Sequence, residues 1–326
     1  MRAAQIEEFG PPEVLRVRDL PDPAPGPGQV LVEVAAAGIN FVETMIRSGL
    51  GPPAARARLP LVPGNEVGGR VVDVGEGVDP NLVGALVVSS TGGSGGYASL
   101  AVAGAAEVNR VPDGLDLERA VAVRSAGRTA LALVRQAQIA PGDTVLVEAA
   151  AGGVGSLLVQ LARNAGAATI IGAANGEQKV AAVTDNGADI AVDYAQPGWG
   201  DVIRDALGGA GVDVVFESVG GPVARTAFEL LAPGSGRLVV FGFASGTPID
   251  VTAREIIGKG LTLTSLGGPQ FTDPAWLSGV VAEVLDLTSA GTLVPTIGHR
   301  LPLERAAEAH AAIEARTVIG KTLLIP

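Results

Sequence analysis

The segment Thr144-Val-Leu-Val-Glu-Ala-Ala-Ala-Gly-Gly-Val-Gly155 constrains this chain more than any other. Its first residues are apolar on both faces, as in a strand buried inside a sheet. The strand runs straight into glycines and then into a helical stretch at about 154–165. In such a turn Gly152 lets the backbone approach a diphosphate, and Gly155 lets the helix pack close to the strand. The helix N-terminus adds free N–H groups and about half a positive charge. Gly152, Gly153, Val154 and Gly155 are therefore the candidate diphosphate-binding residues. The pattern G-x-G-x-x-G has Ala150 in its first position here, so a turn that merely packs a helix is the alternative. Context favours binding. Strands at about 169–173, 190–192, 212–217 and 237–242 alternate with helices at about 177–186, 201–207 and 223–231. That alternation predicts an α/β domain with a doubly wound parallel sheet, placed at 119–262.

The flanking chain reads differently. Strands at about 30–35, 67–74 and 82–89 are separated by Gly- and Pro-rich turns, which predicts a small all-β unit over 1–118. A helix is expected over 116–138. In the tail, helices at about 274–290 and 303–314 accompany strands at about 293–300 and 322–325. These pieces are expected to complete the first unit, making 1–118 plus 263–326 a discontinuous domain. There is no internal repeat and no low-complexity linker.

Composition narrows the function classes. The 326 residues are 47% hydrophobic and 17% charged, enough to bury full cores without staples. The net charge of −11 makes nucleic acid a poor partner. There is no cysteine, so neither disulfides nor thiolate zinc sites can form. The opening residues carry Glu7 and Glu8 and lack an apolar core, so no signal peptide is expected. No run of about 18 apolar residues suggests a membrane span. A cytoplasmic protein is expected.

The second strand of the parallel sheet ends Ile171-Gly-Ala-Ala174, without the carboxylate that binds the ribose 2′-hydroxyl of NAD. Asn175 and Lys179 follow instead. A carboxylate beside a 2′-phosphate would cost about 4 kcal/mol at 4 Å and an effective dielectric of 20. Its absence, with a nearby cation, favours NADPH, although Glu177 lies close by and Lys179 has the reading of a solvated helix residue.

Pro63-Gly-Asn-Glu-Val-Gly-Gly69 resembles the G-H-E-x-x-G turn of zinc alcohol dehydrogenases, with Asn65 where their zinc-ligating His stands. Gly38-Ile-Asn40 occupies the place of their Cys ligand. His299 and His310, the two histidines, are distant in sequence. A catalytic zinc with three protein ligands is not expected. Without a Lewis acid an isolated ketone is hard to polarise, whereas a conjugated acceptor delocalises its charge.

Further motifs carry a family resemblance. Gly38-Ile-Asn-Phe-Val-Glu-Thr-Met-Ile-Arg-Ser-Gly49 is similar to the segment G-I-N-F-x-D-x-Y-x-R-x-G of quinone oxidoreductases. Ala149–Gly155, Asp213-Val-Val-Phe-Glu-Ser-Val-Gly220, Phe241-Gly242 with Ser245-Gly246, and Gly320-Lys-Thr-Leu-Leu-Ile-Pro326 fit in order. The chain thus resembles the zinc-free quinone oxidoreductase (zeta-crystallin-like) family of the medium-chain dehydrogenase/reductase superfamily over its whole length. The resemblance implies a GroES-like domain, a Rossmann domain, an active site in the cleft between them, and homodimers through a sheet edge at Leu261-Thr-Leu263. It places Asn40 and Thr129 beside nicotinamide and substrate. Asn175, Lys179 and Tyr194 are placed around the 2′-phosphate, Ser218 near the middle of the cofactor, Phe241 and Gly242 near the nicotinamide, and Lys321 within reach of the phosphates. Each has a structural alternative: Tyr194 capping a strand, Phe241 in the core, Lys321 in solvent.

Departures from the family pattern are informative. Met45 replaces a Tyr of the first motif, and Gly51 stands where a second Tyr often lies, so a tyrosine proton donor is doubtful. Arg124 and Arg128 fall where relatives are more apolar. Either one faces the cleft and selects a polar or anionic acceptor, or both face solvent. The expected chemistry is zinc-independent reduction of a quinone by NADPH, with Asn40 or Thr129 donating to the developing enolate oxygen and water supplying the proton. A polyketide-type enoyl or 2-enone reductase of the same superfamily is the nearest alternative. An NADPH-binding structural or regulatory protein is the alternative of another class, and a zinc alcohol dehydrogenase a distant third.

Overall fold

The computed structural model describes residues 1–50, 57–267 and 273–326. The chain divides into two units, Met1–Arg128 with Gln270–Pro326, and Thr129–Pro269. The first unit opens with an antiparallel pair, β1 (Arg2–Gln5) and β2 (Arg16–Asp19). The long strand β3 (Gln29–Ile39) leads into helix α1 (Phe41–Ser48). Then come β4 (Glu66–Val74), β5 (Leu86–Ser90), β6 (Leu100–Gly104), β7 (Asn109–Arg110) and helix α2 (Leu117–Ala137).

In the second unit β8 (Thr144–Glu148), α3 (Gly153–Asn164), β9 (Thr169–Ala174), α4 (Glu177–Asp185), β10 (Ile190–Asp193) and α5 (Trp199–Ala206) follow one another. They are succeeded by β11 (Val214–Glu217), α6 (Gly221–Leu230), β12 (Arg237–Val240), α7 (Ala253–Lys259) and β13 (Thr262–Ser265). The chain returns to the first unit through α8 (Pro274–Ser289), β14 (Ile297–Pro302), α9 (Ala306–Glu314) and β15 (Lys321–Ile325).

The main sheet of the first unit has the order β14-β15-β3-β4-β5-β7, with β6 also paired to β3. Strand β3 serves two cores. Val30 and Val32 pack with Val71, Val87 and Ala103, whereas Ala37 and Ile39 pack with Ala4, Ile6, Leu301 and Leu324. The register irregularity between Val34 and Ala36, where Ala35 has no partner on β4, lets the inward-facing set change along the strand. A bulged residue shifts the strand's parity and turns the other set of side chains inward. The tail strand β15 lies between β14 and β3.

In the second unit all six strands run parallel in the order β10-β9-β8-β11-β12-β13. Counted from β8 this is 3-2-1-4-5-6, the doubly wound order. Leu146, Ile171, Val215 and Leu238, one from each central strand, pack beneath Trp199, Ile203 and Phe228 of the helices. The order reverses between β8 and β11, and ligands of such sheets bind outside the carboxyl ends of the strands at that reversal.

Local differences from the sequence reading have physical causes. The strand expected at 82–89 begins at Leu86, because Pro80–Leu82 forms a 3₁₀ turn and Gly84 adopts φ +87. The strand expected at 293–300 begins at Ile297, beyond Pro295, which cannot donate to a ladder. The sequence boundary at 118/119 falls in the first turn of a continuous helix, and the unit boundary falls later in it, at 128/129. Strand β13 continues to Ser265 because it pairs with β12, so residues 263–265 belong to the parallel sheet. Gly51 lies outside the described residues.

Candidate active site

The turn after β8 is built for close approach. A Cβ on Gly155 would lie 2.3 Å from the Ala149 carbonyl oxygen, so only glycine fits there without moving backbone. Gly152 is the N-cap of α3 and offers no side-chain cap. The N–H groups of Gly153, Val154 and Gly155 precede the first i→i−4 bond, which runs from Ser156 to Gly152 at 2.9 Å. They are the orphan donors of a twelve-residue helix, at the end that carries its positive pole. Residues 152–154 are half-buried, so the donors are within reach of a ligand.

The ends of β11 and β12 are tied to the same point. Ala244 N–H donates to the Ser218 carbonyl at 2.9 Å and Ser245 N–H to that of Val219 at 2.7 Å. Phe241 N–H donates to the Glu217 carbonyl at 2.9 Å, and a Cβ on Gly242 would lie 3.1 Å from the Ser218 carbonyl oxygen. Ser218, Phe241 and Gly242 are thus brought together, all partly exposed. Phe241 is not a core residue.

Sequence reasoning missed the carboxyl group beneath this cluster. Glu148, the last residue of β8, accepts the Ser218 and Val219 N–H groups at 3.2 and 3.0 Å. Glu217, the last residue of β11, accepts the Gly220 N–H at 2.6 Å. Both side chains are fully buried. Burial and the neighbouring Glu217 push the Glu148 carboxyl up to about 8, and burial pushes Glu217 up to about 7. The signal was present: each is a lone Glu closing an otherwise apolar strand at the strand-order reversal.

At the ends of β9 and β10 the Tyr194 N–H donates to the Ala174 carbonyl at 2.9 Å, which sets Tyr194 beside Asn175. Lys179 lies in the first turn of α4, its N–H on the Gly176 carbonyl at 3.1 Å. Asn175 is exposed, and Lys179 and Tyr194 are half-buried. The carboxyl of Asp193 is turned into its own loop, where Oδ1 accepts the Ala195 N–H at 2.9 Å. Thr129, on α2, is half-buried and completes the predicted residues of the second unit.

Asn40 and Lys321 belong to the first unit. The Lys321 ammonium donates to Asn40 Oδ1 at 2.7 Å and pairs with Glu66 Oε2 at 2.6 Å. Its side chain is 5% exposed. The expectation that Lys321 reaches the phosphates is therefore corrected: a buried carboxylate and an amide oxygen take up its charge. Glu66 Oε1 accepts the Ser125 N–H of α2 at 2.6 Å. Glu43, in α1, accepts N–H groups of Asn40 at 2.8 Å and Asn65 at 2.9 Å, and the Tyr97 hydroxyl at 2.6 Å. Tyr97 also meets His310 Nε2 at 3.1 Å, and burial pushes the phenol up and the imidazole down to about 3. This tyrosine is locked in the core. Arg124 is buried, which removes the solvent-facing reading for it, and its contact with Glu107 is 3.4 Å. Arg128 is half-buried.

The residues present do not fit a catalytic zinc. His310 is committed to Tyr97, Asn65 stands in the His position, and among the described residues no three His, Cys, Asp or Glu side chains are grouped to hold a metal ion.

Comparison with known proteins matches the alcohol dehydrogenase GroES-like domain over residues 26–113 and the zinc-binding dehydrogenase domain over residues 153–289. A quinone oxidoreductase of Pseudomonas aeruginosa is 36% identical over 326 residues, covering 99% of this chain and 98% of its own. A 2-haloacrylate reductase of a Burkholderia species is 32% identical over 336 residues, covering 99% and 98%. The crystal structure of Escherichia coli quinone oxidoreductase complexed with NADPH superposes with a TM-score of 0.91 at 31% identity, covering 100% of both chains.

Proposed function

Because the chain belongs to the quinone oxidoreductase family of the medium-chain dehydrogenase/reductase superfamily, we propose that it is an NADPH-dependent reductase of quinones or other conjugated carbonyl acceptors that works without zinc. The observation that carries this reading is the uncapped N-terminus of α3 at the reversal of strand order. The donors of Gly153, Val154 and Gly155 suit a diphosphate, with Gly152 leaving room for it. Asn175, Lys179 and Tyr194 suit a 2′-phosphate, since the carboxylate of Asp193, next to Tyr194, is spent on backbone N–H groups. Ser218, Phe241 and Gly242 are gathered where the middle and the nicotinamide end would lie. Bound there, the reduced nicotinamide supplies the hydride equivalent.

The chain's own part is to bind, orient and stabilise. Asn40 or Thr129 donates a hydrogen bond to the acceptor oxygen as negative charge builds on it. One such donor is worth about 3 kcal/mol. The buried, hydrogen-bonded Tyr97 is not available as proton donor, so water delivers the proton. The test is an acceptor screen with NADPH and NADH in parallel on chelator-treated protein. Turnover with NADPH on quinones at undiminished rate supports the proposal; activity that needs added zinc, or an NADH preference, contradicts it.

The 2-haloacrylate reductase relative favours a second reading, in which the acceptor is an activated alkene such as a 2-enoyl thioester. The ratio of kcat/KM for a quinone and for that thioester decides. We also propose a homodimer through β13, an edge strand whose outer side meets no other strand among the described residues and whose Leu263 is 42% exposed.

A further inference from the structure

Asn40 and Asn65 share a pattern of hydrogen bonding that fixes which way each amide faces. A side-chain amide has one accepting oxygen and one donating nitrogen, and its partners fix which way it faces. Each asparagine here meets at least one partner that can only donate. Asn40 Oδ1 takes the Lys321 ammonium at 2.7 Å. Asn65 Oδ1 takes the backbone N–H of Gly93 at 2.7 Å, and the Ser90 hydroxyl at 2.8 Å. An ammonium and a backbone N–H accept nothing, so neither amide can flip without placing two donors face to face. Each –NH₂ group is consequently turned away from these partners. Neither donates a hydrogen bond among the described residues, and both are partly exposed. The two backbones are held by one carboxyl group, that of the buried Glu43, which accepts the N–H of Asn40 on Oε2 and that of Asn65 on Oε1. Tyr97 donates to the same carboxyl.

Two unspent amide donors, on backbones anchored to one buried carboxyl group, are a device for holding an oxygen that gains negative charge. We infer that Asn65 is a second catalytic donor: with Asn40 it cradles the carbonyl oxygen of the acceptor, while Lys321 and Gly93 act as positioning groups that keep both amides donor-outward. The residue that stands in place of a metal ligand thereby takes over part of what a Lewis acid would do. This rests on the reading of the protein as a carbonyl-acceptor reductase.

The deciding variant is Asn65→Asp. A carboxylate still accepts from Ser90 and Gly93, so the loop keeps its hydrogen bonds, but the outward donor becomes an acceptor. With 1,4-naphthoquinone at pH 8, kcat/KM is expected to fall about 100-fold, mainly in kcat, with NADPH affinity and thermal midpoint close to wild type. As the pH is lowered the variant should regain rate, because a protonated carboxyl donates again. Asn65→Ala should lose less than Asn65→Asp and show no such recovery; if it misfolds, Asn65→Asp alone decides. For the positioning role, Lys321→Arg should retain far more kcat than Lys321→Met. A wild-type kcat/KM in Asn65→Asp overturns the inference, as does a loss matched by an equal loss of NADPH affinity. A wild-type enzyme that binds NADPH but reduces no conjugated carbonyl overturns the underlying reading, and this one with it.

Discussion

Lys321 and Glu66 meet at 2.6 Å with side chains 5% and 0% exposed. Gly38 makes room for them: a Cβ there would lie 2.3 Å from Glu66 Oε2 and 2.9 Å from Lys321 Cε. Removing one partner of a buried pair strands the other charge. Lys321→Met is therefore expected to cost about 3–5 kcal/mol, and the double variant Glu66→Gln/Lys321→Met to recover most of that loss. Urea unfolding of the single and double variants measures both; an additive double variant contradicts the pairing.

Gly155→Ala sets a methyl against the Ala149 carbonyl, a contact with backbone that cannot rotate away. The turn must open, and the α3 donors move with it. NADPH affinity is expected to fall at least about tenfold by fluorescence titration, with a stability loss of about 1–3 kcal/mol.

Glu148 supplies a pH signature. Its folded pKa, about 8, lies above the ordinary 4.5, so the folded state holds a proton that the unfolded chain releases. The stabilisation is full below about pH 4.5 and is lost as pH rises through about 8. Glu217, raised to about 7, acts in the same direction. Wild-type stability should decline from pH 5 to pH 9. Glu148→Gln keeps an oxygen for the Ser218 and Val219 N–H groups and cannot ionise, so it should be more stable than wild type at pH 9 by about 2 kcal/mol, with a flatter profile. Thermal melts across that range are the check.

Arg124 is a costly cation. It is 1% exposed, its contact to Glu107 is 3.4 Å, and its Nε and Nη1 have no hydrogen-bond partner among the described residues. Burial pulls its pKa down to about 10. Arg124→Met should leave stability unchanged or raise it by about 1 kcal/mol. A loss above about 2 kcal/mol by urea unfolding would mean that the guanidinium is better satisfied than this geometry indicates.

The exposed edge at β13 makes assembly testable. Leu263→Asp places a charge on a strand whose backbone is free to pair, and should convert a dimer to a monomer in sedimentation velocity. A wild-type protein that sediments as a monomer removes the proposal.

Periodicity and punctuation revealed most of the fold. The second unit was legible because its central strands are short apolar runs that alternate with helical stretches, and the turn at 152–155 stands out by its glycines. Helix α1 was read only as a motif, since its eight residues mix Phe41, Val42 and Ile46 with Glu43, Thr44 and Arg47, and its start rests on a bond from Asn40 N–H to Glu43. The Glu43–Tyr97–His310 cluster was not legible, because its members are 54 and 213 residues apart in their contacts. Lys321 was misread for the same reason. A lysine near an expected phosphate site reads as a phosphate ligand until Glu66 is found beside it.

Strand β15 sits between β14 and β3, and its first residue is Lys321. The flank of β3 beside Asn40 is therefore closed by a strand that arrives from beyond the entire second unit, so both ends of the first unit must meet before that flank is complete.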